Sequence, residues 1–239
     1  MTSRELLLMA VPACIALLGG VMAALWHPSQ RARSLIQHFA AGVVLAALAV
    51  ELLPEIGRER APGLVLVGAF ALGSLLMFGL KLATERMETH PGSRTGVDTG
   101  LMLATFIDVA VDGFIIGAGF AAGGETGPVL ALGLSVELLV LGLALTSDAP
   151  GGWRIVALSG GLGATVLASA VVGKTLLAGA SHAAIGGALA FSAAALLYLV
   201  TEELLMEAHE GIKVETPIST LVLFAGFLAF WAVQLAGRA

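Results

Sequence analysis

Apolar residues gather along this chain in runs of roughly 20, each closed by a short break of charged, glycine or proline positions. Coiled at about 1.5 Å per residue, such a run is long enough to cross the hydrocarbon core of a bilayer as a helix. Eight runs have that length: Glu5 to Trp26, Leu35 to Ile56, Gly63 to Ala83, Thr99 to Ala121, Gly127 to Thr146, Arg154 to Leu177, Ala183 to Met206 and Pro217 to Gly237. The pattern predicts an all-α membrane protein, a single transmembrane domain of eight helices over residues 1–239. The first run is too long for the apolar core of a signal peptide, and Trp26 and Pro28 make a poor cleavage site, so it reads as a helix of the mature chain. The longest break, Thr84 to Asp98, holds no soluble domain, which confines activity to the bilayer or its edges.

Composition agrees. The chain is 58% apolar with 31 glycines and a mean hydropathy of +0.96, and its 12% of charged residues is about half the share found in soluble domains. Lys and Arg number 12 against 17 Asp and Glu, a net charge of −5 without a basic stripe, which argues against a nucleic-acid partner. Cys14 is the single cysteine, so no disulfide forms within the chain. Arg31, Arg33, Lys81, Arg86, Arg94, Arg154 and Lys213 fall on one side of the predicted topology, and Arg4, Arg58, Arg60, Lys174 and Arg238 on the other. The richer side is expected inside, which puts both termini outside.

The chain also echoes itself. Glu51-Leu52-Leu53-Pro54-Glu55 closes the second run and Glu203-Leu204-Leu205-Met206-Glu207 closes the seventh. With eight spans these two helices point in opposite directions, as they would in an inverted repeat of spans one to three onto six to eight around spans four and five.

Three charges lie far from any break. Asp108 and Asp112 fall near the middle of the fourth span and Glu137 near the middle of the fifth, with no Lys or Arg at that depth. Insertion scales put an ionised acid at mid-bilayer at about 2.5 to 3.5 kcal/mol, so the trio calls for a reason beyond packing. Asp108 and Asp112, four apart, share one helix face, and Glu137 meets them where the two antiparallel helices cross. Three carboxylates persist together only if protons or a cation neutralise them, and oxygen ligands of this kind suit divalent cations. The alternative is that each acid is protonated and bonds across a helix interface. Gly113, Gly117, Gly119, Gly133 and Gly142 flank the trio and favour close helix approach.

The residues around the trio resemble the ZIP (Zrt-, Irt-like protein) metal transporters. Asp108-Val109-Ala110-Val111-Asp112-Gly113-Phe114-Ile115-Ile116-Gly117 is similar to the family's fourth-helix motif His-Asn-x-Pro-Glu-Gly, and Glu137-Leu138-Leu139-Val140-Leu141-Gly142-Leu143-Ala144-Leu145-Thr146 to its fifth-helix motif His-Glu-x-Pro-Glu-Gly-Leu-Ala-Val-Ser. The second span, from His38-Phe39-Ala40-Ala41-Gly42 to Leu53-Pro54-Glu55, is the closest literal match. The resemblance implies eight helices in a 3+2+3 inverted repeat, outside termini, an inner or plasma membrane, a homodimer and a secondary transporter of divalent metal. The metal is then substrate, not cofactor. Asp108 and Glu137 stand where the motifs have His, and Asp112 where the fourth helix has Glu. Val109, Leu138, Leu141 and Gly163 stand where the motifs or some bacterial members have further ligands, and Val111 and Val140 replace both prolines. One all-carboxylate site is left in place of the family's paired sites. The family makes zinc the default cargo, whereas the oxygen ligands favour Mn, Fe(II), Mg or Ca.

The acids at the span ends form a second group of candidates. Glu51 and Glu55 at the outer end of the second span, and Glu202, Glu203 and Glu207 with His209 and Glu210 at the inner end of the seventh, would draw cations to the two mouths. His38, at the inner start of the second span, resembles a family position; His27, His90 and His182 are loop residues without ligand spacing. Two other functions compete. A relative that no longer moves metal, either a proton-linked carrier or a metal-responsive membrane protein, would account for the missing ligands. An intramembrane metal-dependent enzyme acting on phosphates would use Asp-x3-Asp, but needs Arg or Lys at the same depth and finds none, so a non-enzyme is expected.

Overall fold

The computed structural model describes residues 2–25, 29–88, 99–144, 152–204 and 217–238, and every regular element among them is a helix. Helix α1 (Ser3–Leu25) precedes α2 (Gln30–Ala47), which continues through a π turn (Leu48–Leu52) into α3 (Leu53–Arg58) as one span. There follow α4 (Gly63–Glu88), α5 (Thr99–Ala122), α6 (Thr126–Ala144), α7 (Gly152–Leu177), α8 (His182–Leu199) with a second π turn (Val200–Leu204), and α9 (Pro217–Arg238). Eight helical stretches among the described residues are long and apolar enough to cross a membrane, the number the run lengths predict.

Side-chain bonds at the helix ends fix the alternation of direction. Glu5 at the start of α1 pairs with Lys174 at the end of α7 at 2.5 Å, and Glu59 just after α3 meets His182 at the start of α8 at 2.7 Å. At the opposite end of the bundle, Lys81 of α4 pairs with Glu202 of the second π turn. The upper face of the molecule is therefore the one where α1, α4, α6 and α8 begin, and the lower face the one where they end. Helices α2, α6 and α8 are the most buried and form the middle, while α4 and α9 lie outside it and present Leu64, Val67, Leu75, Leu221, Phe224 and Leu228 outward. In lipid that exposure carries no penalty.

Glycine sets the helix spacing. A Cβ on Gly42 of α2 would lie 1.9 Å from the Leu223 carbonyl oxygen of α9, and one on Gly113 of α5 would lie 2.4 Å from the Val166 carbonyl oxygen of α7. At these contacts backbone meets backbone, so dispersion replaces the hydrophobic drive that lipid does not supply. The most extensive pairings are α5 with α7, α1 with α7 and α6, α2 with α9, and α4 with α8.

Two features lie outside the reach of hydropathy. Helix α2 starts at Gln30, ahead of the apolar run, because Ser29 accepts the Ala32 N–H and caps the turn; Ser181 accepts the Ala184 N–H and does the same for α8. The π turns lie beyond the same number of residues in each helix, and in the first the Leu53 N–H reaches the Leu48 carbonyl five residues back. Arg60, with φ +49°, takes the left-handed conformation that ends α3.

Candidate metal centre

Helix α5 carries Asp108 and Asp112 one turn apart on one face, and α6, packed against α5, brings Glu137 to the same place. One carboxylate oxygen from each of the three lies within 4.8 Å of the others. Asp112 is 1% exposed and Glu137 5%, while Asp108, one turn nearer the lower face, is half-buried. At 4.8 Å and an effective dielectric near 20, each like-charged pair repels by roughly 3 kcal/mol, so the fully ionised trio is stable only around a cation. The ligand atoms are all carboxylate oxygens, a hard donor set. The helix-crossing geometry read from the spacing is thus present in the structure.

Glu51 has a different environment. The π turn carries its side chain into the seam between α2, α6 and α9, where it is 2% exposed. The Thr126 hydroxyl at the start of α6 donates to its Oε1 at 2.9 Å, and the Gln234 amide of α9 donates to its Oε2 at 2.5 Å. Glu55 is bound one turn on by Arg58 at 2.7 Å, and Glu59, the next in this four-residue series, is bound by His182. Thr126, Gln234 and Glu59 are not among the sequence candidates, and His182 stands there only as a loop residue without ligand spacing. The spacing of Glu51, Glu55 and Glu59 was a usable signal for Glu59, but nothing local marks the other three.

The remaining candidates are dispersed. His38 is buried, and its Nδ1–H donates to the Ser34 carbonyl of its own helix at 2.8 Å, which fixes the ring's tautomer and aims Nε2 away from that carbonyl. Glu202 is committed to Lys81. The side chain of Glu203, and all of Glu207, His209, Glu210, His27 and His90, lie outside the described residues. A groove of about 640 Å³ between α4, α5 and α8 is lined by apolar residues such as Phe106, Val111, Phe114 and Phe191, with the Phe114 and Phe191 rings edge to face at 6.1 Å. It uses another side of α5 than the aspartates and offers no ligand for an ion. No family model matches the chain, and no curated protein matches it.

Proposed function

We propose that the protein is a ZIP-like secondary transporter that carries a divalent cation across its membrane through the Asp108, Asp112 and Glu137 site. The observation that carries this reading is the convergence of three carboxylate oxygens within 4.8 Å, from two helices, at mid-span. A cluster of that charge at that depth is a poor structural device and a good resting place for a cation in transit. Its oxygen-only character makes Mn(II) and Fe(II) better cargo than zinc.

The proposed fold is a 3+2+3 inverted repeat, with α1 to α4 related to α7 to α9 about α5 and α6. Three observations support it. The serine caps, helix lengths and π turns of α2 and α8 recur at one constant separation in the chain. Exchanging the halves maps the α5 and α7 contact onto α6 and α1, and that of α2 and α9 onto α8 and α4. Gly226 faces the Phe39 carbonyl as Gly73 faces that of Phe191, and Phe39 and Phe191 occupy equivalent places. Outside termini, a plasma or inner membrane and a homodimer belong to the same proposal.

Uptake into proteoliposomes across Mn(II), Fe(II), Zn(II) and Ca(II) tests it. The intact protein is expected to accumulate Mn(II), and Asp112→Ala and Glu137→Ala are expected to abolish the flux. No accumulation of any ion would remove the transport reading in favour of a protein that binds metal without moving it. Undiminished uptake by both variants would remove the site.

A further inference from the structure

We infer that the seam where α2, α6 and α9 meet holds a second cation site, built from the Glu51 carboxylate, the Thr126 hydroxyl and the Gln234 amide carbonyl. Three spans each bring one oxygen-bearing side chain to this point, and all three residues are buried, Gln234 at 8% exposure. The Gln234 Nε2 is spent on Glu51, while its Oε1, on the same small group, is buried and has no hydrogen-bond partner among the described residues. An amide oxygen left in that state costs about 1 to 3 kcal/mol, so the present orientation of the amide is set by the charge of Glu51 and by no partner of its own oxygen. A half-turn of the amide exchanges its nitrogen for its oxygen, so the seam passes from the hydrogen-bonded form to a three-oxygen ligand set without moving a helix. The donors are carboxylate, amide and hydroxyl, with no nitrogen or sulfur, which selects a hard divalent ion with water completing its shell.

The site is separate from the carboxylate trio. Glu137 follows Thr126 on α6 by eleven residues, about 16 Å along the helix axis. Between the two levels the seam is shut: a Cβ on Gly133 would meet the Ala47 Cβ at 3.0 Å and the Phe230 ring at 3.5 Å. Ala47 and Phe230 lie one turn below Glu51 and Gln234 on their own helices, so they form the floor of the upper site. An ion held there waits above a closed apolar layer. That role as a waiting place rests on the transport reading, whereas the binding itself does not.

Titration of the full chain in nanodiscs with Mn(II), followed by the loss of the free aqueous Mn(II) resonance, separates the two. Two ions per chain are expected for the intact protein. One is expected for Glu51→Gln and for Gln234→Leu, with the remaining ion reporting that the bundle is still folded. Asp112→Asn combined with Glu137→Gln is expected to leave one ion, now sensitive to Glu51→Gln. Gln234→Glu distinguishes a ligand from a structural anchor: a second carboxylate ligand should tighten the upper site by about tenfold, whereas an amide that only anchors Glu51 would be lost in this variant as in Gln234→Leu. Two ions in both Glu51→Gln and Gln234→Leu, a single ion in the intact protein that Glu51→Gln leaves bound, or weakened binding in Gln234→Glu would each overturn the upper site and leave the trio untouched. Two ions in the Asp112→Asn and Glu137→Gln variant would instead overturn the trio.

Discussion

Two of the places where the described residues bury carboxylate treat the charge in opposite ways. At mid-span Asp108, Asp112 and Glu137 are gathered until their oxygens lie within 4.8 Å, so that each acid worsens the position of the others. At the upper seam Glu51 is alone among the three groups that meet there, and its two oxygens are held by neutral donors from Thr126 and Gln234. Ionised, the first arrangement sets like charges against one another, a repulsion that the proposed cation would release. The second stabilises a negative charge with hydrogen bonds of the charge-assisted kind, each worth about 1.5 to 3 kcal/mol. Burial alone therefore says little about what an intramembrane acid does; the company it keeps decides.

The sharpest way to break this contrast is to neutralise both deep acids at once. Asp112→Asn with Glu137→Gln should lower affinity for Mn(II) at that site by about two orders of magnitude, since charge count is what tunes an oxygen site. Mn(II) at a hundred times a site's dissociation constant should raise stability by about 2.7 kcal/mol for that site, and a thermal melt of the double variant should show the trio's share of the gain lost and only that of the upper seam left. A second test is a difference in sign. Without metal, Asp112→Asn is expected to stabilise through relieved repulsion, by less than the roughly 3 kcal/mol of one ionised pair because protons neutralise part of the trio, whereas Glu51→Gln should destabilise by about 1 to 3 kcal/mol, because it removes the charge that the Thr126 and Gln234 donors face. Melts of the two single variants in chelator would read it, and equal signs would erase the distinction between the sites.

Packing gives a finer comparison. Gly113→Ala would thrust a Cβ to 2.4 Å from the Val166 backbone oxygen beside Asp112, while Gly133→Ala, beneath Glu51, meets only side chains at 3.0 Å or more. Overpacking of about 1 to 3 kcal/mol is expected at the first and less than half of that at the second, measured by chemical denaturation in micelles. The smallest effect belongs to Lys81→Met. Its pair with Glu202 is about a third exposed on each side, so the loss should stay below about 1 kcal/mol, and Mn(II) uptake should change by less than about twofold.

Hydropathy made the eight spans legible because the bilayer imposes one length on every helix that crosses it. Asp108, Asp112 and Glu137 were legible for a related reason: at mid-span an acid needs a proton, a partner or a cation, and a spacing of four already places two of them on one face. The Glu51 seam was hidden because its meaning depends on three spans far apart in the chain. Thr126 and Gln234 are ordinary neutral residues near helix ends, and only their convergence on Glu51 makes them a group. His182 has no ligand spacing in the sequence, yet its side chain, 86% exposed at the start of α8, sets one nitrogen on buried Glu59. The start of α2 lies ahead of the apolar run for a simpler reason. Its first turn is polar, and the Ser29 hydroxyl holds it in helical form where hydrophobicity gives no sign.

The π turns make joints of α2 and α8. A wide turn holds one residue more than an α-helical turn; in the proposed transport that surplus would pass along the rod one residue at a time, re-aiming by about 100° each side chain it passes. The rod never has to break, so the motion stays within what an apolar medium tolerates. One joint lies in the upper part of the bundle at Leu48–Leu52, the other in the lower part at Val200–Leu204. In the proposed transport, a joint near the top of one shaft and near the bottom of the other would let one end re-aim its side chains while the other end stays clamped, so that one door opens at a time.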